Sequence, residues 1–124
     1  MLKYRSAWLT GGWLLVSLIV YLSLTPHPPE PVSFPNADKL EHGVAYASLS
    51  LWFCQIYLSF RHRVVVMVAL IAMGVLIEFL QGWSGYRYFE YADMLANSTG
   101  VVLGYLLART ALGRVFVLIE KVGL

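Results

Sequence analysis

The sequence predicts an all-α, polytopic membrane protein: a bundle of four transmembrane helices with both termini cytoplasmic. Three observations carry this. Of 124 residues, 59% are hydrophobic and only 13% charged, whereas a soluble domain is about half apolar and about a quarter charged. Four stretches reach the roughly 20 mostly apolar residues that a spanning helix needs. Seven of the nine Lys and Arg residues fall on one side of the resulting topology, which the bias of positive charge makes the cytoplasmic side. The same composition excludes disorder, which needs low hydrophobicity and high charge. A net charge of +2 without a basic run or zinc-finger spacing gives no basis for nucleic-acid binding. The single Cys54 makes no internal disulfide and lacks the companions of a thiolate metal site. Residues 1–124 are read as one membrane domain.

The first span covers about 7–24 and carries no charge. Its basic start (Lys3, Arg5) and apolar middle have the outline of a signal peptide. The small-residue site Ser23-Leu24-Thr25 is followed by Pro26, a poor cleavage junction, so the stretch reads as a retained anchor. All five prolines lie between Pro26 and Pro35. Proline locks φ and removes a backbone donor, which makes the outer loop 25–41 stiff and extended. The second span, about 42–60, meets a tight basic inner loop at 61–63, Arg61-His62-Arg63. The third, about 64–83, holds Glu78 and Gln81 near its end. The outer loop 84–92 follows Trp83 and contains Tyr86, Tyr88, Phe89 and Tyr91; such rings favour the headgroup level. The fourth span, about 93–112, has Asn97 near its start and Arg109 near its end. The tail 113–124, with Arg114, Glu120 and Lys121, either extends the fourth helix or lies along the inner surface. Short connections between the later helices favour antiparallel neighbours.

The polar residues near the hydrocarbon gather at one level. Asp38-Lys39-Leu40-Glu41-His42 opens the second helix. Asp38 and His42 are four apart and share a face, so the carboxylate can hold one imidazole nitrogen and raise the basicity of the other. Asp38 as a helix cap, with His42 at the wet interface, fits equally. Glu78 and Gln81 are three apart, with Glu78 roughly 6–8 Å inside the outer boundary. A carboxylate at that depth points into the bundle, paired or protonated. It is either a structural partner for a cation or a group with a raised pKa. Asp93 and Asn97 are one turn apart, and their stripe continues to Gly100 and Gly104. That G-x-x-x-G pair permits close helix approach and offers a face for oligomerisation. Arg87 suits carboxylate or phosphate bidentately, or pins the loop by pairing with Asp93 or Glu90.

Together these blocks carry a resemblance. Asp38-Lys39-x-x-His42, then Glu78-x-x-Gln81, then Arg87-Tyr88-Phe89-Glu90-x-x-Asp93-x-x-x-Asn97-x-x-Gly100-x-x-x-Gly104 resemble the VanZ-like family of small bacterial membrane proteins. The match runs from about Asp38 to Gly104. One position departs: Tyr91 stands where many relatives carry proline or another turn residue. The resemblance implies a multi-pass protein of the bacterial cytoplasmic (inner) membrane with about four helices. It also implies a link to the cell envelope and to antibiotic resistance, since the family is named after a member linked to low-level teicoplanin resistance.

Two functions compete. In the first, the outer-leaflet site binds or processes an envelope lipid or a lipid-linked cell-wall precursor. His42, oriented by Asp38, is then the general base or nucleophile, and Glu78 or Asp93 the acid partner. Lys39, Gln81, Arg87 and Asn97 are the binding residues. In the second, the polar network is structural and the protein is a non-enzymatic scaffold or interaction partner. No spacing selects a metal or cofactor. The partners expected are membrane lipids and a lipid-linked envelope precursor, with no nucleic acid.

Overall fold

The computed structural model describes residues 2–25, 37–84 and 91–123, with backbone alone at 37 and 38. Described residues form five α-helices and no strand: α1 (Arg5–Leu24), α2 (Ala37–Ile56), α3 (Phe60–Trp83), α4 (Tyr91–Ala108) and α5 (Val115–Val122), the last preceded by a 3-10 turn at Ala111–Arg114. The fold is all-α, as expected. By length and composition, α1 and α3 can each cross a membrane, and α4 with α5 makes a third candidate if the bent pair is one span. The expected proline-rich loop and Arg87 lie outside the described residues.

Helix boundaries follow from local chemistry. α1 stops at Leu24, and Thr25 before Pro26 is extended, at φ −75° and ψ 142°, because a residue preceding proline is pushed out of the α region. α2 begins at Ala37, so residues 37–41 are helical rather than part of the outer loop, and it ends at Ile56 rather than near 60. The basic segment Arg61-His62-Arg63 is likewise not a loop but the first turn of α3. Ser59 caps that helix, its hydroxyl accepting from the His62 N–H at 3.2 Å. Arg63 reaches back to the end of α2, where Nη2 donates to the Cys54 carbonyl at 2.7 Å and Nε to the Tyr57 carbonyl at 3.1 Å. Its charge thereby satisfies the orphan carbonyls of a helix C-terminus.

α4 ends at Ala108, four residues short of the expected boundary at 112. The Thr110 hydroxyl accepts from the Leu112 N–H at 3.2 Å and starts the 3-10 turn. α5 then leaves at 73° to α4, so the tail does not prolong the fourth helix. Gly113 sits so close to the Ala108 carbonyl that a Cβ has no room there.

The bundle is organised around α2 and α4, which pack more extensively than any other pair. Small residues allow it. A Cβ on Gly100 would run into the backbone of Gly43, and one on Gly104 into the carbonyl of Ala47. The close helix approach that the glycine pair permits is thus made with α2 of the same chain. Below this contact lies a core of Tyr46, Leu49, Phe53, Leu70 and Val101, crossed by a buried hydrogen bond from the Ser50 hydroxyl to the Val101 carbonyl at 2.7 Å. α1, in contrast, buries only Gly12 and exposes Trp13, Leu14, Leu18 and Tyr21.

At the other end of the bundle α5 clasps the start of α1. Phe116 stacks on Trp8 with ring centroids 3.9 Å apart, and its N–H donates to Gln55 Oε1 at 3.0 Å. The Glu120 carboxylate accepts from the Lys3 N–H at 2.7 Å, the Tyr4 N–H at 2.9 Å and the Trp8 indole at 2.8 Å.

Candidate functional site

The candidate site lies where the first turns of α2 and α4 meet the last turns of α3. Each helix delivers its polar residues at one-turn spacing, so they form ladders that face inward. α2 supplies Lys39, His42 and Tyr46; α3 supplies Glu78, one turn after Gly74; α4 supplies Asp93 and Asn97. Glu78 is 1% exposed, Asp93 5%, Asn97 3% and Tyr46 2%. Such burial of polar groups is costly in a protein interior and more so in lipid.

Gly74 is the hinge of the arrangement. A Cβ placed there would lie 3.1 Å from Asn97 Nδ2 and 3.4 Å from Tyr46 Cε1. The absent side chain therefore lets Asn97 and Tyr46 reach the same point on α3. Glu78, one turn after Gly74, lies on the same face of α3 and so looks toward that point. Nearer the helix starts, Lys39 Nζ is 3.5 Å from Asp93 Oδ1. Asp93 also sits in the first turn of α4, where a negative charge meets the positive end of the helix dipole.

Several buried polar atoms have no hydrogen-bond partner among the described residues: the Tyr46 hydroxyl, Asn97 Oδ1, His42 Nδ1 and Glu41 Oε1. Native interiors leave few such groups, each costing about 1–3 kcal/mol. Tyr46 and Asn97 meet at Gly74, His42 is one turn before Tyr46 on the same face of α2 and Glu41 is on the adjoining face, so these atoms line the start of α2 and α4 ready to bond to something else. Their chemistry is mixed, with a hydroxyl, an amide oxygen, an imidazole and a carboxylate beside an ammonium. Such a set can both donate and accept, as a polar headgroup requires. Among the described residues, no three His, Cys, Asp or Glu side chains are grouped to hold a metal ion.

Of the residues singled out from the sequence, Lys39, His42, Glu78, Asp93 and Asn97 converge. Gln81 is buried but committed elsewhere: its Nε2 donates to the Ser23 carbonyl at 2.7 Å and ties α3 to the end of α1. The Asp38 side chain and Arg87 lie outside the described residues. Tyr46, Glu41, Gly43 and Gly74 were not anticipated. Tyr46 was readable, since it follows His42 by one helical turn.

Residues 34–115 match the family model described as VanZ/LLP1. The chain belongs to the VanZ/LLP1 family. The matched segment contains the whole polar cluster and excludes all of α1 and all of α5 but its first residue, Val115. Among curated proteins, an uncharacterized protein of the fission yeast Schizosaccharomyces pombe is 30% identical over 97 residues, covering 76% of this chain and 57% of that protein. The chain thus spans little more than half of that relative's length. A yeast relative takes the VanZ/LLP1 likeness outside the bacteria to which the sequence resemblance pointed. No solved structure matches the chain.

Proposed function

We propose that the polar end of α2, α3 and α4 is a membrane-embedded site that binds or processes an envelope lipid or a lipid-linked precursor. The observation that carries this is the set of buried atoms on Tyr46, Asn97, His42 and Glu41 that have no hydrogen-bond partner among the described residues. A ligand hydroxyl, amide or phosphate would satisfy them and recover the cost of burying them. A relative in a yeast favours the headgroup of a membrane lipid over a precursor confined to bacterial walls.

In this reading four helices span the membrane, with the basic end cytoplasmic. For a bacterial source that membrane is the inner one. α2 and α4 are long enough to span, at 20 and 18 residues. Their low hydropathy comes from polar residues turned toward each other and toward α3, not toward lipid. The site then opens at the outer leaflet. His42 serves as base or nucleophile, with Asp38 one turn before it on α2, and Glu78 and Asp93 are the acid partners. Lys39 and Arg87 hold an anionic group, and Asn97 and Tyr46 orient it. Gln81 anchors α1 instead of touching the ligand.

The test replaces His42 with Gln and Glu78 with Gln singly and reads lipid composition and teicoplanin susceptibility of a bacterial host at matched protein level. Loss of the phenotype in both is expected, and an unchanged phenotype in both would sink the reading. A structural role for the network is the second reading, favoured by the Lys39–Asp93 ion pair and the Gln81–Ser23 bond. It expects Asp93→Asn to lower abundance without a separate effect on phenotype.

A further inference from the structure

The break between α4 and α5 creates a second polar feature at the opposite end of the bundle. An open cleft of about 680 Å³ lies between the α2–α3 turn and the 3-10 turn. Three arginines line it, Arg63, Arg109 and Arg114, and no acidic residue does. Arg63 is fixed in place by the carbonyls of Cys54 and Tyr57. Neither the Arg109 nor the Arg114 guanidinium pairs with a carboxylate or a backbone carbonyl among the described residues. Glu120, on the neighbouring helix, is already taken by Lys3, Tyr4 and Trp8.

Positive charge at this end of the chain serves membrane orientation, but orientation needs only a count of charges. Arg61, exposed on the first turn of α3 and outside the cleft, serves it as well. Orientation does not require three guanidinium groups around one concavity. Arg109 and Arg114 are exposed and Arg63 is half-buried, so an anion can reach all three from solvent and offset their mutual repulsion. The planar fork of arginine matches a phosphate bidentately. The depth is also suitable. α5 runs at 73° to α4 and exposes Leu118, Ile119 and Val122, the posture of a short helix lying in the plane of the interface. The cleft beside it is therefore at headgroup level.

We propose that this cleft binds the phosphate of an anionic phospholipid headgroup, through Arg63, Arg109 and Arg114. It is distinct from the polar site of α2–α4 and does not depend on the function proposed there. A soluble phosphate ester has the same chemistry, and the test separates the two sources.

The full chain is placed in nanodiscs of equal phosphatidylglycerol and phosphatidylcholine, and retained lipid is counted by native mass spectrometry. The protein should keep phosphatidylglycerol preferentially. Arg109→Gln with Arg114→Gln should lower that retention by about tenfold, the loss of one to two charge-assisted hydrogen bonds, with an unchanged melting temperature. Arg61→Gln, which removes the same kind of charge outside the cleft, should leave retention as it is. Equal retention of the two lipids by the unaltered protein overturns the proposal. So does an effect of Arg61→Gln as large as that of the pair. If the double variant melts early, the single Arg114→Gln variant is read instead, and full retention there also counts against the cleft. In discs of phosphatidylcholine alone, glycerol 3-phosphate is added. A melting shift that the double variant abolishes would overturn the lipid as source and assign the cleft to a soluble ester.

Discussion

The two ends of the bundle treat their polar groups in opposite ways. At the start of α4, carboxylates and amides are enclosed by three helices, and the enclosure depends on small residues at Gly43, Gly74, Gly100 and Gly104. At the end of α4, arginines stand open in a cleft left by a bend. One end is made by close packing and the other by its interruption. Mutations should therefore damage the first through stability and the second through binding.

The largest expected effect is at the packed end. Gly104→Leu would force a side chain into the backbone of α2 at Ala47. Destabilisation of about 3 kcal/mol, the upper part of the usual range for overpacking, is expected. It would be measured as a lowered melting temperature in detergent, with Gly123→Ala, which meets open space, as the neutral control. A tolerated Gly104→Leu would break the comparison.

Next comes Gln81→Leu, which leaves the Ser23 carbonyl without its donor and should cost about 1–3 kcal/mol by the same measurement. The third variant separates site from scaffold. Tyr46→Phe removes a hydroxyl that has no hydrogen-bond partner among the described residues, so it should leave stability within about 1 kcal/mol of the unaltered protein or raise it slightly. The phenotype read for His42→Gln should nevertheless weaken. A clear loss of stability would mean the hydroxyl has a structural partner.

The smallest effect concerns the clasp. Desolvation opposes ionisation of Glu120, but the N–H groups of Tyr4 and Lys3 and the Trp8 indole outweigh it and hold the carboxyl below its ordinary value. A depressed carboxyl contributes stability above its unfolded pKa, about 4.3 for Glu, and loses it as pH falls through the lower folded value. Melting temperature should drop on acidification below that range. Glu120→Gln should be less stable at neutral pH and flatter in its response to acid.

The stripe from Asp93 through Asn97 to Gly100 and Gly104 was legible in the sequence because helical periodicity alone aligns it. The inward aim of Glu78 was legible for a similar reason: a carboxylate within an apolar helix is costly unless it faces the bundle. Other features were hidden by context. The spacing of Asp38 and His42 already marks a helix start, but polarity draws the loop boundary as far as 41, since Lys39 finds its partner Asp93 only on α4, distant in sequence. The segment Arg61-His62-Arg63 looked like a turn because adjacent charges usually mark one, yet Arg63 folds back onto α2 and Ser59 starts the helix earlier. Tyr46 shares the face of His42, one turn on, but nothing local reveals that its hydroxyl is buried. The end of α4 at Ala108 is set by the approach of Gly113, a tertiary event without a proline to announce it.

The clasp between Glu120 and residues Lys3, Tyr4 and Trp8 has a topological consequence. Two points of a chain joined by hydrogen bonds under 3 Å long cannot be on opposite faces of a bilayer about 30 Å thick. In the spanning arrangement proposed above, the polypeptide between Tyr4 and Glu120 then crosses an even number of times, which four crossings satisfy and three do not. Labels at Lys3 and Lys121, expected on the same face, would read this parity directly.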